Sequence, residues 1–263
     1  MPEGKFDEFA VKMGKRYDEL WLANKGYPHQ IDETESFFEN IDVRGKVVLD
    51  LGAGTLRFSL DSVDRGSKEV VGLDLYDGML KWGMVKARNL GVEDKISVIV
   101  ADGRHLPFRQ NVFDIVVSIE LFEHIDKGQV LLLNEIHRIL KSPGVAAINT
   151  WNAIPWAISG MLGFSKGVLE SWDGRFYYRF YYPWEFKYLL LSSRFKKLRL
   201  IGVHNTYFLL LVKKLMRFTE LPKAQSLFRL IIPLEIAINK AIRKISPVNR
   251  TTGMFLLAIL KKN

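Results

Sequence analysis

Short unbroken apolar runs alternate with helical patterns along most of this chain. The runs at 46–51, 70–75, 96–101, 113–119 and 145–150 are rich in Val, Ile and Leu and have the length of strands buried on both faces. Between them, Met79, Leu80, Met84 and Ala87 fall at helical spacing over 78–90, as do Leu131, Leu132, Ile136, Ile139 and Leu140 over 127–140. The proline and glycine of "KSPG" at 141–144 predict the end of that second helix. "WEFKYLLLSS" from Trp184 reads as a further helix, leading into a sixth strand at 197–204, with a seventh at 253–260. The pattern predicts an α/β fold, a Rossmann-like doubly wound sheet with helices on both faces.

Two stretches exceed a minimal sheet. Residues 151–182 hold Trp151, Trp156, Trp172, Phe176, Tyr177, Tyr178, Phe180, Tyr181 and Tyr182 and follow the C-terminal end of a strand, the edge where open α/β sheets bind ligands. They predict either an aromatic substrate cap or a small packed subdomain. Residues 205–250 carry nine Lys and Arg against two Asp and Glu around apolar series. They read as amphipathic helices with basic faces, able to lie in a membrane interface, to close over a greasy substrate or to pack on the core. The expected organisation is a helical lid at 1–45, in which Tyr17 and Trp21 are candidates to close over the site, a core at 46–150, the cap at 151–182, and a C-terminal completion of the sheet at 183–263.

Composition narrows the chemistry. With no cysteine among 263 residues, disulfides, cysteine-ligated zinc, iron–sulfur clusters and thiol nucleophiles are excluded, and no metal site is expected. No window reaches the roughly 18 to 20 apolar residues of a membrane span, and the first residues lack the apolar segment of a secretory signal. A cytoplasmic protein, peripheral at a membrane if anywhere, is the expectation. The net charge of +9 is concentrated at the C-terminal end, where residues 183–263 hold 16 Lys and Arg against 3 Asp and Glu. An anionic surface, lipid or nucleic acid, suits that end, as does a merely solvated basic face.

The most informative segment is "VVLDLGAGTLRFSL" at 47–60. A P-loop requires Gly-Lys-Ser/Thr after such a turn, and here Thr55, Leu56 and Arg57 follow. The dinucleotide fingerprint wants a third glycine where Arg57 stands, so the nicotinamide reading is weakened. Asp50, two residues before Gly52, disfavours a pyrophosphate and suits a cationic ligand. S-adenosylmethionine is such a ligand, with an ammonium, a sulfonium, a ribose and an adenine and no phosphate. Gly52 and Gly54 let the backbone approach its methionine portion. Asp74, 22 residues after Gly52 at the next strand end, is placed to accept from the ribose hydroxyls, and Asp102 at the third strand end from the adenine amino group.

The segments "VVLDLGAGTLRFS", "VVGLDLYDGML", "ISVIVADGRHLPF", "FDIVVSIELFEHI" and "LLLNEIHRILKSPGVAAINT" resemble, in order and spacing, the class I S-adenosylmethionine-dependent methyltransferases, especially the type-11-like group, over about 47–150. The resemblance implies a seven-stranded sheet with the last strand antiparallel, and cofactor roles for Asp50, Gly52, Gly54, Asp74 and Asp102. It further implies that Leu75, Gly103 and Arg104 line the adenine side, and that Ser118, Glu120 and His124 lie under the sulfonium. Leu56 departs from the glycine common at that turn, and Ser142 lengthens the usual Lys-Pro-Gly ending.

Methyl transfer from a sulfonium is an in-line displacement of an activated group, so alignment and exclusion of water dominate. A base is needed only for a protonated acceptor, and Glu120, Glu123 and His124 are the candidates, with Glu120 and His124 preferred. Cytosine C5 methylation needs a cysteine, and adenine amino methylation is usually marked by an Asp/Asn-Pro-Pro-aromatic turn where this chain has Ser118-Ile119-Glu120-Leu121; both are disfavoured. "SIELFEHI" is also similar to a segment of cyclopropane fatty-acid synthases. The expected function is methyl transfer to a small, hydrophobic or lipid-linked acceptor, with S-adenosylhomocysteine as product. RNA methylation through the basic C-terminal end and cofactor binding without catalysis are the alternatives.

Overall fold

A computed structural model describes residues 34–161, 170–172, 177–203 and 253–263. The proposed lid residues Tyr17 and Trp21 and the basic insertion at 205–250 lie outside the described residues. Nine strands are described: β1 Val47–Leu51, β2 Glu69–Asp74, β3 Ile96–Val100, β4 Phe113–Ser118, β5 Leu140–Trp151, β6 Glu170–Trp172, β7 Tyr177–Arg179, β8 Lys197–Val203 and β9 Phe255–Lys262. Beside them lie α1 Arg57–Asp64, α2 Asp77–Asn89, α3 Gln129–Ile139, α4 Ala153–Met161 and α5 Pro183–Leu191, and residues 34–38 are also helical.

Seven strands form one sheet in the order β3-β2-β1-β4-β5-β9-β8. β1 to β5 pair in parallel, and β9 runs antiparallel to both β5 and β8. This is the expected α/β architecture with its last strand reversed. Alternate residues of each strand feed two cores. On one face Leu49, Leu51, Val116 and Ile148 pack under Leu132, Ile136 and Ile139 of α3 and Phe186 and Leu190 of α5. On the other, Val48, Val70, Val117 and Ala147 pack under Phe58 and Val63 of α1, Leu80 and Ala87 of α2, and Phe37. Such two-sided burial explains why the strands read as unbroken apolar runs.

α3 ends at Ile139, just before "KSPG" as expected, but β5 begins earlier than the expected 145: Leu140 already pairs with Phe113, and the ladder resumes at Ile115 with Val145. The extra residues bulge from β5 and are held by Asp114, whose carboxylate accepts from Lys141 Nζ at 3.0 Å and from the Val47 N–H at 2.9 Å. In the aromatic stretch, β6 and β7 form a separate antiparallel pair. The ring of Trp151 lies 5.5 Å from Phe180, 4.6 Å from Phe255 and 6.5 Å from Trp156. These aromatics therefore fasten the cap to the ends of β5 and β9, a packing role independent of any substrate. Among the described residues, no helix is long and apolar enough to cross a membrane.

Candidate functional site

The C-terminal ends of β1, β2, β3 and β4 bring the expected side chains to one edge of the sheet. After β1 the chain turns through Gly52 and Gly54, with φ of +79° and +50°. The Gly52 and Ala53 N–H groups donate to the Leu73 carbonyl at 2.8 and 3.0 Å, and the Gly54 N–H donates to Asp74 Oδ2 at 2.8 Å. The other oxygen of Asp74 accepts from the Tyr76 N–H at 2.9 Å. Asp74 thus ties the glycine turn to the start of α2 while staying partly open.

Leu56 explains how this turn closes without its usual glycine. Its φ is +61°, a left-handed conformation that is unfavourable for a residue with a Cβ. The side chain is wholly buried and occupies space that Gly72 and Gly83 leave open; a Cβ on either would come within 2.5 Å of it. The backbone strain, about 1–2 kcal/mol, is offset by burying a leucine side chain, about 1.5–3 kcal/mol.

Three carboxyl groups gather behind the turn. Asp50 is 2% exposed, and its Oδ2 accepts from Ser59 Oγ of α1 at 2.6 Å. Burial pushes its pKa up to about 6, the charge of Asp74 adding to the effect and the Ser59 hydrogen bond opposing it. Burial also raises Asp74, against the pull of its bonds from Tyr76 and Gly54. Glu120, at the end of β4, is raised by burial against the attraction of Arg57 and His124. Its backbone sits at φ +51°, pinned by its N–H donating to Asn149 Oδ1 at 2.7 Å. A cluster of carboxyls reluctant to ionise marks a place where a positive ligand completes the electrostatics.

The residues expected on the adenine side are arranged less simply. Leu75 and Val100 expose 59% and 52% of their surface, an apolar ledge beside Asp74. Asp102 lies on the same edge, but its carboxylate is gripped by Arg104, with Nη2 at 2.7 Å from one oxygen and Nε at 3.0 Å from the other. That hydrogen bond holds Asp102 below the usual carboxylate range. A Cβ on Gly103 would lie 3.1 Å from Leu132 and 3.2 Å from Leu51, so this glycine serves close packing of the loop on the core. Ser118 is fully buried, and its Oγ has no hydrogen-bond partner among the described residues.

Glu123 turns inward, 1% exposed, and accepts from Thr150 Oγ1 at 3.2 Å. His124 lies on the surface, with Nδ1 2.9 Å from the Tyr177 carbonyl of the cap. A carbonyl only accepts, so Nδ1 carries the proton and a neutral ring keeps its Nε2 lone pair free. Sequence reasoning missed Asn149 and the electrostatic part of Arg57. The latter had a visible signal, since Arg57 stands where a third glycine would be; Asn149 sits inside an apolar strand pattern with nothing to single it out. Among the described residues no group of three His, Asp or Glu could hold a metal ion.

Comparison with known proteins agrees with this geometry. Residues 49–148 match the family described as a methyltransferase domain. The chain is 30% identical to the methyltransferase GfsG of Streptomyces halstedii over 165 residues, 54% of this chain and 59% of that protein. It is 40% identical to the ubiquinone/menaquinone biosynthesis C-methyltransferase UbiE of Enterobacter sp. over 132 residues, 48% of this chain and 46% of that one. The chain thus spans about half the length of the curated relatives it matches. Among solved structures, an S-adenosylmethionine-dependent methyltransferase of Thermotoga maritima, described as a possible histamine N-methyltransferase, aligns at a TM-score of 0.62 and 13% identity, covering 96% of this chain and 98% of that one. At that identity the likeness speaks for the fold.

Proposed function

We propose that this chain, whose residues 49–148 match a methyltransferase domain, is an S-adenosylmethionine-dependent methyltransferase that transfers a methyl group to a small hydrophobic or lipid-linked acceptor. The observation that carries the cofactor reading is the convergence of Asp50, Asp74 and Glu120, all raised by burial, on a glycine turn that lacks phosphate-binding chemistry. S-adenosylmethionine, when bound, supplies an activated methyl group together with the positive charge that such a cluster suits. The residues present fit it. Asp74 has lone pairs to spare for ribose hydroxyls after accepting two backbone N–H groups, and Leu75 offers an apolar surface for a flat base. Asp102 would accept from an amino group once Arg104 releases part of its carboxylate.

The chain's own part in the chemistry is placement and proton handling. Asp50, fixed to α1 by Ser59, keeps a negative charge behind the turn above about pH 6. Glu120, fixed by Asn149, and His124, fixed by Tyr177, stand at the end of β4. His124 Nε2 is the group suited to take a proton from a hydroxyl or an enolic acceptor. The UbiE relative's name places it in quinone biosynthesis, which supports an apolar acceptor here. Incubation with methyl-labelled S-adenosylmethionine and, separately, a lipid extract or RNA tests this: label should enter the lipid fraction and be lost in Asp74→Ala. Label in RNA alone would overturn the acceptor class, and cofactor binding with no labelled product from any acceptor pool would favour a non-catalytic role.

A further inference from the structure

The outer face of α5 carries a row of exposed apolar side chains. Trp184 is 61% exposed, Tyr188 76% and Leu191 45%, and they recur at the i, i+4, i+7 spacing of one helical face. Their helix is already anchored, because Phe186 and Leu190 on the opposite face are wholly buried in the core. The apolar stripe therefore faces away from the sheet. Leu131 on neighbouring α3 is also exposed. Tyr182 stacks on Trp184 at 4.7 Å and holds that ring outward.

Charge accompanies the stripe. Lys187 falls on the same helical face and is exposed; Arg194, whose N–H donates to Asn134 Oδ1 of α3 at 3.1 Å, is exposed just beyond the helix, followed by exposed Lys196. The lone acid of the segment, Glu185, is paired with Arg179 at 3.5 Å. A groove of about 600 Å³ opens at the top of the helix between Gln129, Arg179, Tyr181, Trp184 and Tyr188. β8 is parallel to β5, since both are antiparallel to β9, so α5, which leads into β8, descends from the candidate-site edge. The groove is therefore at that edge.

We infer that the Trp184–Tyr188–Leu191 face of α5 is a docking surface for an anionic lipid bilayer, entering the headgroup region with Lys187 and Arg194 on lipid phosphates. Tryptophan and tyrosine favour that depth because one part of the ring is apolar and the other is wet. An amphipathic helix with a basic polar flank binds there by apolar insertion plus headgroup attraction. The inference rests on the proposed function for its purpose: docking by this face would bring the candidate-site edge next to the layer in which a lipid-like acceptor is dissolved.

Sedimentation of the full chain with vesicles of phosphatidylcholine alone, or mixed in equal parts with phosphatidylglycerol, tests it. The wild type should bind the anionic vesicles and release them as salt rises. The variant W184S/Y188S/L191S should lose roughly tenfold or more in partitioning, and K187E/R194E, which folds independently of any apolar change, roughly twentyfold or more. Both variants should keep wild-type affinity for S-adenosylhomocysteine. Absence of wild-type binding, or unchanged binding by the two variants, overturns the inference; so does a shift from dimer to monomer in W184S/Y188S/L191S, which would assign the face to a second copy of the chain. Vesicle binding without S-adenosylhomocysteine binding would overturn the cofactor reading and leave the docking surface standing.

Discussion

Replacing Asp50 with asparagine separates the folding cost of the site from its use. In the unfolded chain this carboxyl titrates near its ordinary 3.8, whereas in the folded protein burial lifts it to about 6. An acid whose folded pKa is raised binds its proton more tightly in the native state, so stability falls as pH rises from about 4 through about 6. At pH 7 the ionised, buried carboxylate destabilises the fold by about 3 kcal/mol relative to the fully protonated condition. Asparagine keeps an oxygen to accept from Ser59 Oγ and removes the charge; after allowing about 1–2 kcal/mol for the weaker hydrogen bond, a gain of about 1–2 kcal/mol remains. In a chain of this size that raises the melting temperature by roughly 2–8 °C. Thermal unfolding followed by circular dichroism at pH 4, 5.5 and 7 is the assay. Asp50→Asn should exceed the wild type at pH 7, and its advantage should vanish by pH 4. A variant less stable than the wild type at pH 7, or one whose difference is the same at all three pH values, would refute the burial argument.

Other outcomes follow from the same geometry. Affinity for S-adenosylmethionine should increase from pH 5 to pH 7.5, because its sulfonium and ammonium charges favour the ionised forms of Asp50, Asp74 and Glu120, and calorimetry near pH 6 in buffers of different ionisation heat should reveal proton release. Arg104→Met should bind S-adenosylhomocysteine severalfold more tightly by freeing Asp102, while Asp102→Asn binds it more weakly; looser binding by Arg104→Met would mean the arginine holds the ligand. Leu56→Gly should lower stability by about 1–3 kcal/mol in urea titration despite relieving the left-handed strain, and Gly72→Ala, whose Cβ would lie 2.5 Å from the Leu56 side chain, should be destabilising alone yet much better tolerated in the Leu56→Gly background. His124→Phe should reduce methyl transfer to an oxygen acceptor by roughly a hundredfold without altering S-adenosylhomocysteine affinity.

Much of this arrangement was legible because it rests on backbone periodicity. Strands buried on both faces leave continuous apolar runs, and an acid at the end of each run marks the edge where ligands sit, so Asp50, Asp74 and Asp102 stood out by position alone. Side-chain pairings did not. Arg104 occupies Asp102 through a two-residue loop contact that any Asp-x-Arg sequence permits but none requires. Asn149 reaches Glu120 across the sheet, a registry contact invisible in either strand by itself. Leu56 looked like a simple departure at the turn; only the matching absence of side chains at Gly72 and Gly83, 16 and 27 residues away, shows why it is tolerated. The helix stop before 141–144 was legible, but the bulge in β5 was not, because proline and glycine disrupt helix and strand alike. The docking face of α5 escaped notice because an exposed tryptophan and a buried one are the same letter.

The account stands on the identity of the ligand at the glycine turn. Isothermal calorimetry of the purified chain with S-adenosylhomocysteine, with NAD titrated in parallel, addresses it most directly. Saturable micromolar binding of S-adenosylhomocysteine, severely weakened in Asp74→Ala and absent for NAD, is the predicted result. Binding of NAD instead, or undiminished S-adenosylhomocysteine affinity in a folded Asp74→Ala protein, would contradict the assignment of this edge of the sheet.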